Sequence, residues 1–144
     1  MKSFKIKLEL YNRTRTPVSK NKLKRITEAT LSSLLKTQKP ALVFLSVFVV
    51  GEKKIEELNR KFRGQGKPTT VLSFPQDEPL KQHFPSGKIV LGDIFLCPSV
   101  IRKKFGQEKL YWLFWHGLLH LLGLTHRQME KYAPLWRKIQ SQLS

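Results

Sequence analysis

Three of the four histidines fall within one short stretch, His116-Gly117-Leu118-Leu119-His120-Leu121-Leu122-Gly123-Leu124-Thr125-His126. Neutral imidazole is the commonest metal ligand among side chains, because one ring nitrogen carries a free lone pair. A separation of four leaves His116 and His120 about 40° apart around a helix axis, on one face, so both can reach the same ion. His126 cannot join them if the helix runs on, because ten further residues would carry it about 15 Å along the axis from His116, whereas Zn–N bonds are about 2.0–2.1 Å. The chain must turn, and Gly123 stands where a left-handed residue would end the helix. Three histidines with an open fourth position are the arrangement of catalytic zinc, whereas structural zinc is usually closed by four ligands. The expectation is one zinc ion per chain, held by His116, His120 and His126. The competing reading is a set of packing or capping histidines on a leucine-rich helix. The fourth histidine, His83, falls in a stretch with Pro79, Pro85 and Gly87 and is expected on an exposed loop.

The spacing His-x3-His-x5-His is shared with the metzincin peptidases, which place a glutamate base directly after the first histidine. Here that position is Gly117. Loss of a positioned base typically costs about 10²–10⁴-fold, so a zinc peptidase is the weaker reading.

Hydrophobic periodicity supplies the elements that must hold this cluster. Phe4 to Leu10 alternates strictly and predicts a half-buried strand. Ser19 can cap a helix whose apolar residues Leu23, Ile26, Ala29, Leu31, Leu34 and Leu35 fall mostly three and four apart, with Pro40 to stop it. Ala41 to Val50 is almost continuously apolar, the pattern of a central strand covered on both faces. Glu52 to Phe62 predicts a short helix ending at Arg63-Gly64, Thr69 to Phe74 a strand closed by Pro75, Gln76 to Gly87 a loop, and Lys88 to Leu96 a strand. Helices follow over Pro98 to Phe105, Glu108 to about Leu122 and roughly Arg127 to Leu143, with Pro134 kinking or restarting the last. The order argues for an α+β fold: one domain over 1–144, a mixed sheet of about four strands packed with about five helices, and the metal site on a C-terminal helix.

The balance of 27 Lys and Arg against 10 Asp and Glu, a formal +17, favours a polyanionic partner. Nucleic acid is the better candidate. A membrane surface would call for a basic amphipathic helix beside a bulky apolar face, and none stands alone here. The longest apolar run on the N-terminal side is about half what a bilayer needs, no export signal is visible after Met1, and the single Cys97 asks for no oxidising compartment. The expected location is the cytoplasm.

Taken together, the histidine block, the block Leu58-Asn59-Arg60-Lys61-Phe62-Arg63-Gly64 with Lys67-Pro68-Thr69-Thr70-Val71-Leu72-Ser73-Phe74-Pro75, and Leu91-Gly92-Asp93-Ile94 resemble the YbeY family of bacterial metal-dependent endoribonucleases. The resemblance runs from the turn at Asn12-Arg13-Thr14 to the last helix. It implies single-strand-specific RNA cleavage in ribosomal RNA maturation and ribosome quality control, with ribosomal RNA and the small ribosomal subunit as partners. It also implies that Arg63 is a functional residue close to the metal, where a guanidinium can grip phosphate. Ser73 is expected to face the cleft, and Asp93 to orient a metal ligand. Two positions depart from the family pattern: Thr70 and Thr125 stand where the family usually carries aspartate. Losing carboxylate partners of metal-bound histidines typically costs about 10–100-fold in affinity or activity, so a weakened, ribosome-binding member with a structural metal is the alternative.

Overall fold

In the computed structural model, residues 4–35, 41–77, 79 and 87–143 are described. His83, Pro40, Pro85 and most of the expected Gln76 to Gly87 loop lie outside them. Four strands, β1 (Phe4–Asn12), β2 (Ala41–Val49), β3 (Val71–Pro75) and β4 (Lys88–Leu96), form one sheet in the order β1-β2-β4-β3. β1 and β4 both pair parallel with β2, and β3 pairs antiparallel with β4, so the sheet is mixed and β2 is central as expected.

α1 (Lys20–Leu34) crosses from β1 to β2. The Ser19 side chain accepts from the Lys22 N–H, and the helix buries Leu23, Ile26, Thr27, Thr30 and Leu31. The two buried threonines cost little because their hydroxyls donate one turn back, to the Leu23 and Ile26 carbonyls. α2 (Glu52–Arg63) follows β2 and ends at Gly64. After β4 come α3 (Pro98–Lys104), a 3₁₀ turn (Gln107–Lys109) and α4 (Leu110–Leu121). The stretch expected as a single last helix is divided into α5 (His126–Met129), a second 3₁₀ turn (Glu130–Tyr132) and α6 (Ala133–Ser141). Pro134 lies in the first turn of α6, where its missing N–H has no partner to lose, so it restarts the helix rather than kinking it.

β2 departs from expectation on one face. Ala41, Val43, Leu45, Val47 and Val49 are buried, but the alternate residues are only half-buried. The far face carries a row of touching rings instead of a full helical layer: Tyr11–Phe48 and Phe48–Phe95 stack at 5.0 and 4.6 Å, and Phe74 and Phe62 continue it edge to face. A continuous apolar run does not distinguish helical cover from aromatic neighbours.

α4 lies on the other face, against β3 and β4. It buries Leu110, Leu113, Phe114, Trp115, Gly117, Leu118, Leu119 and Leu121, and each full burial of a Leu or Phe contributes about 1.5–3 kcal/mol. Among its residues only Tyr111, Trp112, His116 and His120 keep partial exposure. Three of these are spaced by four, so the accessible face of an otherwise buried helix is a stripe of one tryptophan and two histidines.

Candidate functional site

Gly117 explains how closely α4 approaches the sheet. A Cβ there would lie 2.9 Å from Ser73 Oγ, 3.2 Å from Val71 Cγ2 and 3.3 Å from Ile94 Cγ2. The helix therefore sits at a distance only glycine permits, and the position that holds the base in metzincins points into the β3–β4 surface. No glutamate fits there. Ser73 is part of the same contact: it is buried, and its hydroxyl donates to the Gly117 carbonyl at 3.0 Å. The expectation that Ser73 faces an open cleft is corrected, since it fastens α4 to the strand.

The turn that brings His126 back is built as the sequence requires. After α4 the Gly123 N–H donates to the His120 carbonyl, the Leu124 N–H donates to the Leu119 carbonyl, and Gly123 adopts φ 99°. This pair of bonds closes the helix end with a residue that side chains disfavour. Thr125 then caps α5: its hydroxyl accepts from the Gln128 N–H, and the Gln128 amide oxygen accepts from the Thr125 N–H. His126 is the first residue of α5 and is exposed.

The result brings His126 against His120. The His120 and His126 rings lie 4.7 Å apart, centroid to centroid, at 80°. His116 Nδ1 is 2.8 Å from the Trp112 carbonyl. A carbonyl only accepts, so Nδ1 carries the proton and Nε2 keeps the lone pair a metal would use. His120 forms a backbone hydrogen bond to Leu124. Burial pushes both helix histidines below the ordinary imidazole value, with the charge of His126 adding to it, and Arg63 pushes His120 down further. Both are thereby held neutral near pH 7, the form that ligates. The donor set fits a borderline-soft ion such as zinc in kind. Three-way convergence is a stricter demand, and among the described residues no group of three His, Cys, Asp or Glu side chains lies in ligating geometry.

Arg63, the last residue of α2, is exposed, and its guanidinium is a long 3.4 Å from the Ser73 carbonyl at the edge of β3. Its positive charge acts on His120, pushing that imidazole further down. Asp93 does not join the histidines. Ser73 pairs with Ile94 and faces α4, so the neighbouring Asp93, opposite Phe74, points from the other face of the sheet. Burial raises its carboxyl above the usual range. The two threonines have other roles: Thr125 is committed to its cap, and Thr70 is buried with its carbonyl accepting from the Cys97 N–H at 3.0 Å. The ring partners here are backbone carbonyls, which serve as well as carboxylates to fix a tautomer. Sequence reasoning missed Trp112, whose carbonyl holds His116 and whose ring lies 4.1 Å from it. The signal was the repeat of four from Trp112 through His116 to His120.

Comparison with known proteins bears on the family of the chain. The family model described as endoribonuclease YbeY matches residues 9–144. An endoribonuclease YbeY from Thermodesulfovibrio yellowstonii is 38% identical over 120 residues, covering 77% of this chain and 71% of the relative. Another from Sulfurihydrogenibium is 32% identical over 144 residues, covering 96% of this chain and 88% of the relative. Among solved structures, the solution structure of a Thermotoga maritima protein superposes with a TM-score of 0.51 at 26% identity, over 95% of this chain and 86% of that one.

Proposed function

Since this chain belongs to the YbeY endoribonuclease family, we propose that it is a metal-dependent hydrolase that cuts single-stranded RNA in ribosomal RNA maturation and ribosome quality control, working in the cytoplasm on the RNA of the small ribosomal subunit. The observation that carries this reading is the contact of the His120 and His126 rings at the end of α4, with the Arg63 charge acting on His120, in a chain of formal charge +17. His116, His120 and His126 would hold one zinc ion, which when bound supplies an activated water and polarises the phosphate. Arg63 binds the phosphate from the β3 side, two N–H groups of its fork matching two oxygens, and stabilises charge as it develops. The Trp112 carbonyl and the Leu124 backbone hold the His116 and His120 rings in position. No helix among the described residues is long and apolar enough to cross a membrane.

A second reading, an RNA-binding member that performs no cleavage, draws on one observation: among the described residues, no carboxylate contributes to the electrostatics of either helix histidine. One experiment separates the two. The purified protein is analysed for metal and assayed on single-stranded RNA with and without chelator, beside His120→Ala. About one transition-metal ion per chain, lost together with cleavage in the variant, is expected. Full metal occupancy in His120→Ala sinks the ligand assignment, and metal-bound protein that binds RNA without cutting it establishes the second reading.

A further inference from the structure

All three tryptophans of the chain, Trp112, Trp115 and Trp136, line a single cavity of about 400 Å³ between α4 and the α5–α6 segment. His116 and His126 belong to the same wall. Trp112 lies one turn before His116 on the accessible stripe of α4 and is half-exposed. Trp115 and Trp136 pack against each other at 5.3 Å with their planes tilted by 31°, and both are buried. The Trp115 indole N–H is buried with no hydrogen-bond partner, an uncommon state for a donor in a folded chain. Glu130 and Arg137 stand exposed at the mouth. They give the lining one acidic and one basic group.

A cavity of this size is within the range of small-molecule sites, and its walls select strongly. Indole faces favour a flat π-ligand, and Glu130 can accept from an exocyclic amine. The Arg137 guanidinium in the lining favours an anionic backbone attached to it. A nucleobase on an RNA strand meets all of these conditions. An apolar peptide side chain meets the first alone. Resting on the endoribonuclease reading above, we propose that the cavity is a nucleobase subsite: one base of the strand enters it and stacks against Trp112, beside the Trp115–Trp136 pair, while its phosphate lies toward Arg137 and the histidines. This places a base-reading position directly next to the scissile bond.

Because the chain has no other tryptophan, its intrinsic fluorescence reports on this cavity alone. The test titrates the protein with an oligoadenylate and with an abasic ribose-phosphate chain of equal length and charge, following tryptophan emission and binding in parallel. Oligoadenylate is expected to quench the emission and to bind about 5- to 150-fold tighter than the abasic chain, the loss typical of one stacked base. Trp112→Ala, a substitution at a half-exposed position, is expected to close most of that gap while keeping affinity for the abasic chain. Equal binding and equal emission with the two ligands overturn the subsite, as does a Trp112→Ala protein that keeps most of the gap. If that variant melts early, the wild-type quenching comparison decides. Failure to bind either ligand overturns the RNA reading itself, a distinct result.

Discussion

A guanidinium and an ammonium carry the same charge, but only the guanidinium offers a rigid planar fork to two phosphate oxygens. That difference isolates what Arg63 does. If it acts on charge that develops during cleavage, Arg63→Lys keeps the metal and most RNA affinity while single-turnover cleavage at saturating protein falls about 10²-fold, the scale of losing one preorganised donor. Its exposed position at the end of α2, with only a 3.4 Å contact to the Ser73 carbonyl, means the substitution costs little stability. A rate in Arg63→Lys equal to wild type would restrict Arg63 to binding. Gly117 carries the complementary lesson about what the site lacks. Its missing Cβ lets α4 rest against Ser73 and Ile94, so this chain has no side chain where metzincins place their base. Proton transfer to and from the attacking water therefore cannot be assigned to that position, and the distinction from a peptidase is steric as well as chemical.

At the scale of elements, the turn between α4 and α5 decides whether His126 reaches His120. Aspartate and threonine are both good N-cap residues, because each offers an oxygen to the N–H groups of the first turn. With Thr125 already bonded to Gln128, the departure from the family pattern keeps the cap and removes only a charge. Thr125→Ala is expected to cost about 1 kcal/mol in urea unfolding and to weaken metal retention, whereas Thr125→Asp changes stability by a few tenths. If alanine matches threonine in both measurements, the cap has no bearing on the site. The same turn shows what a sequence can carry. Periodicity, caps and breakers act between near neighbours, so the strand and helix order, the Ser19 cap, the restart at Pro134 and the need to turn at Gly123 were all legible. The half-open face of β2, the inward role of Ser73 and the far-side position of Asp93 depend on which strands become neighbours and in what register. Those are contacts between residues far apart in the chain, and one sequence does not encode them locally.

Over the whole molecule, α1 and α6, which touch each other, both carry exposed cations. Lys20, Lys24 and Arg25 of α1 are exposed, as are Arg137 and Lys138 of α6, and the Arg25 guanidinium joins the two helices by donating to the Gln142 carbonyl. Arg137 in turn borders the tryptophan cavity next to His116 and His126. A strand that followed α1 and α6 would reach the site at Arg137, while Lys53 and Lys54 stand at the start of α2, the end remote from Arg63. Each phosphate neutralised on a single strand adds about 0.7 to the slope of log K against log salt, because a condensed counterion is released. If the path holds RNA, reversing Lys24 and Lys138 together lowers that slope by about 1.4, with affinity at low salt falling in step. Reversing Lys53 and Lys54 changes net charge by the same amount, so it serves as the control for long-range attraction. Equal effects from the two pairs would mean that RNA responds to the +17 as a diffuse field. A loss confined to Lys24→Glu with Lys138→Glu would trace the strand along α1 and α6 toward the histidines, because a diffuse field does not distinguish one exposed lysine from another.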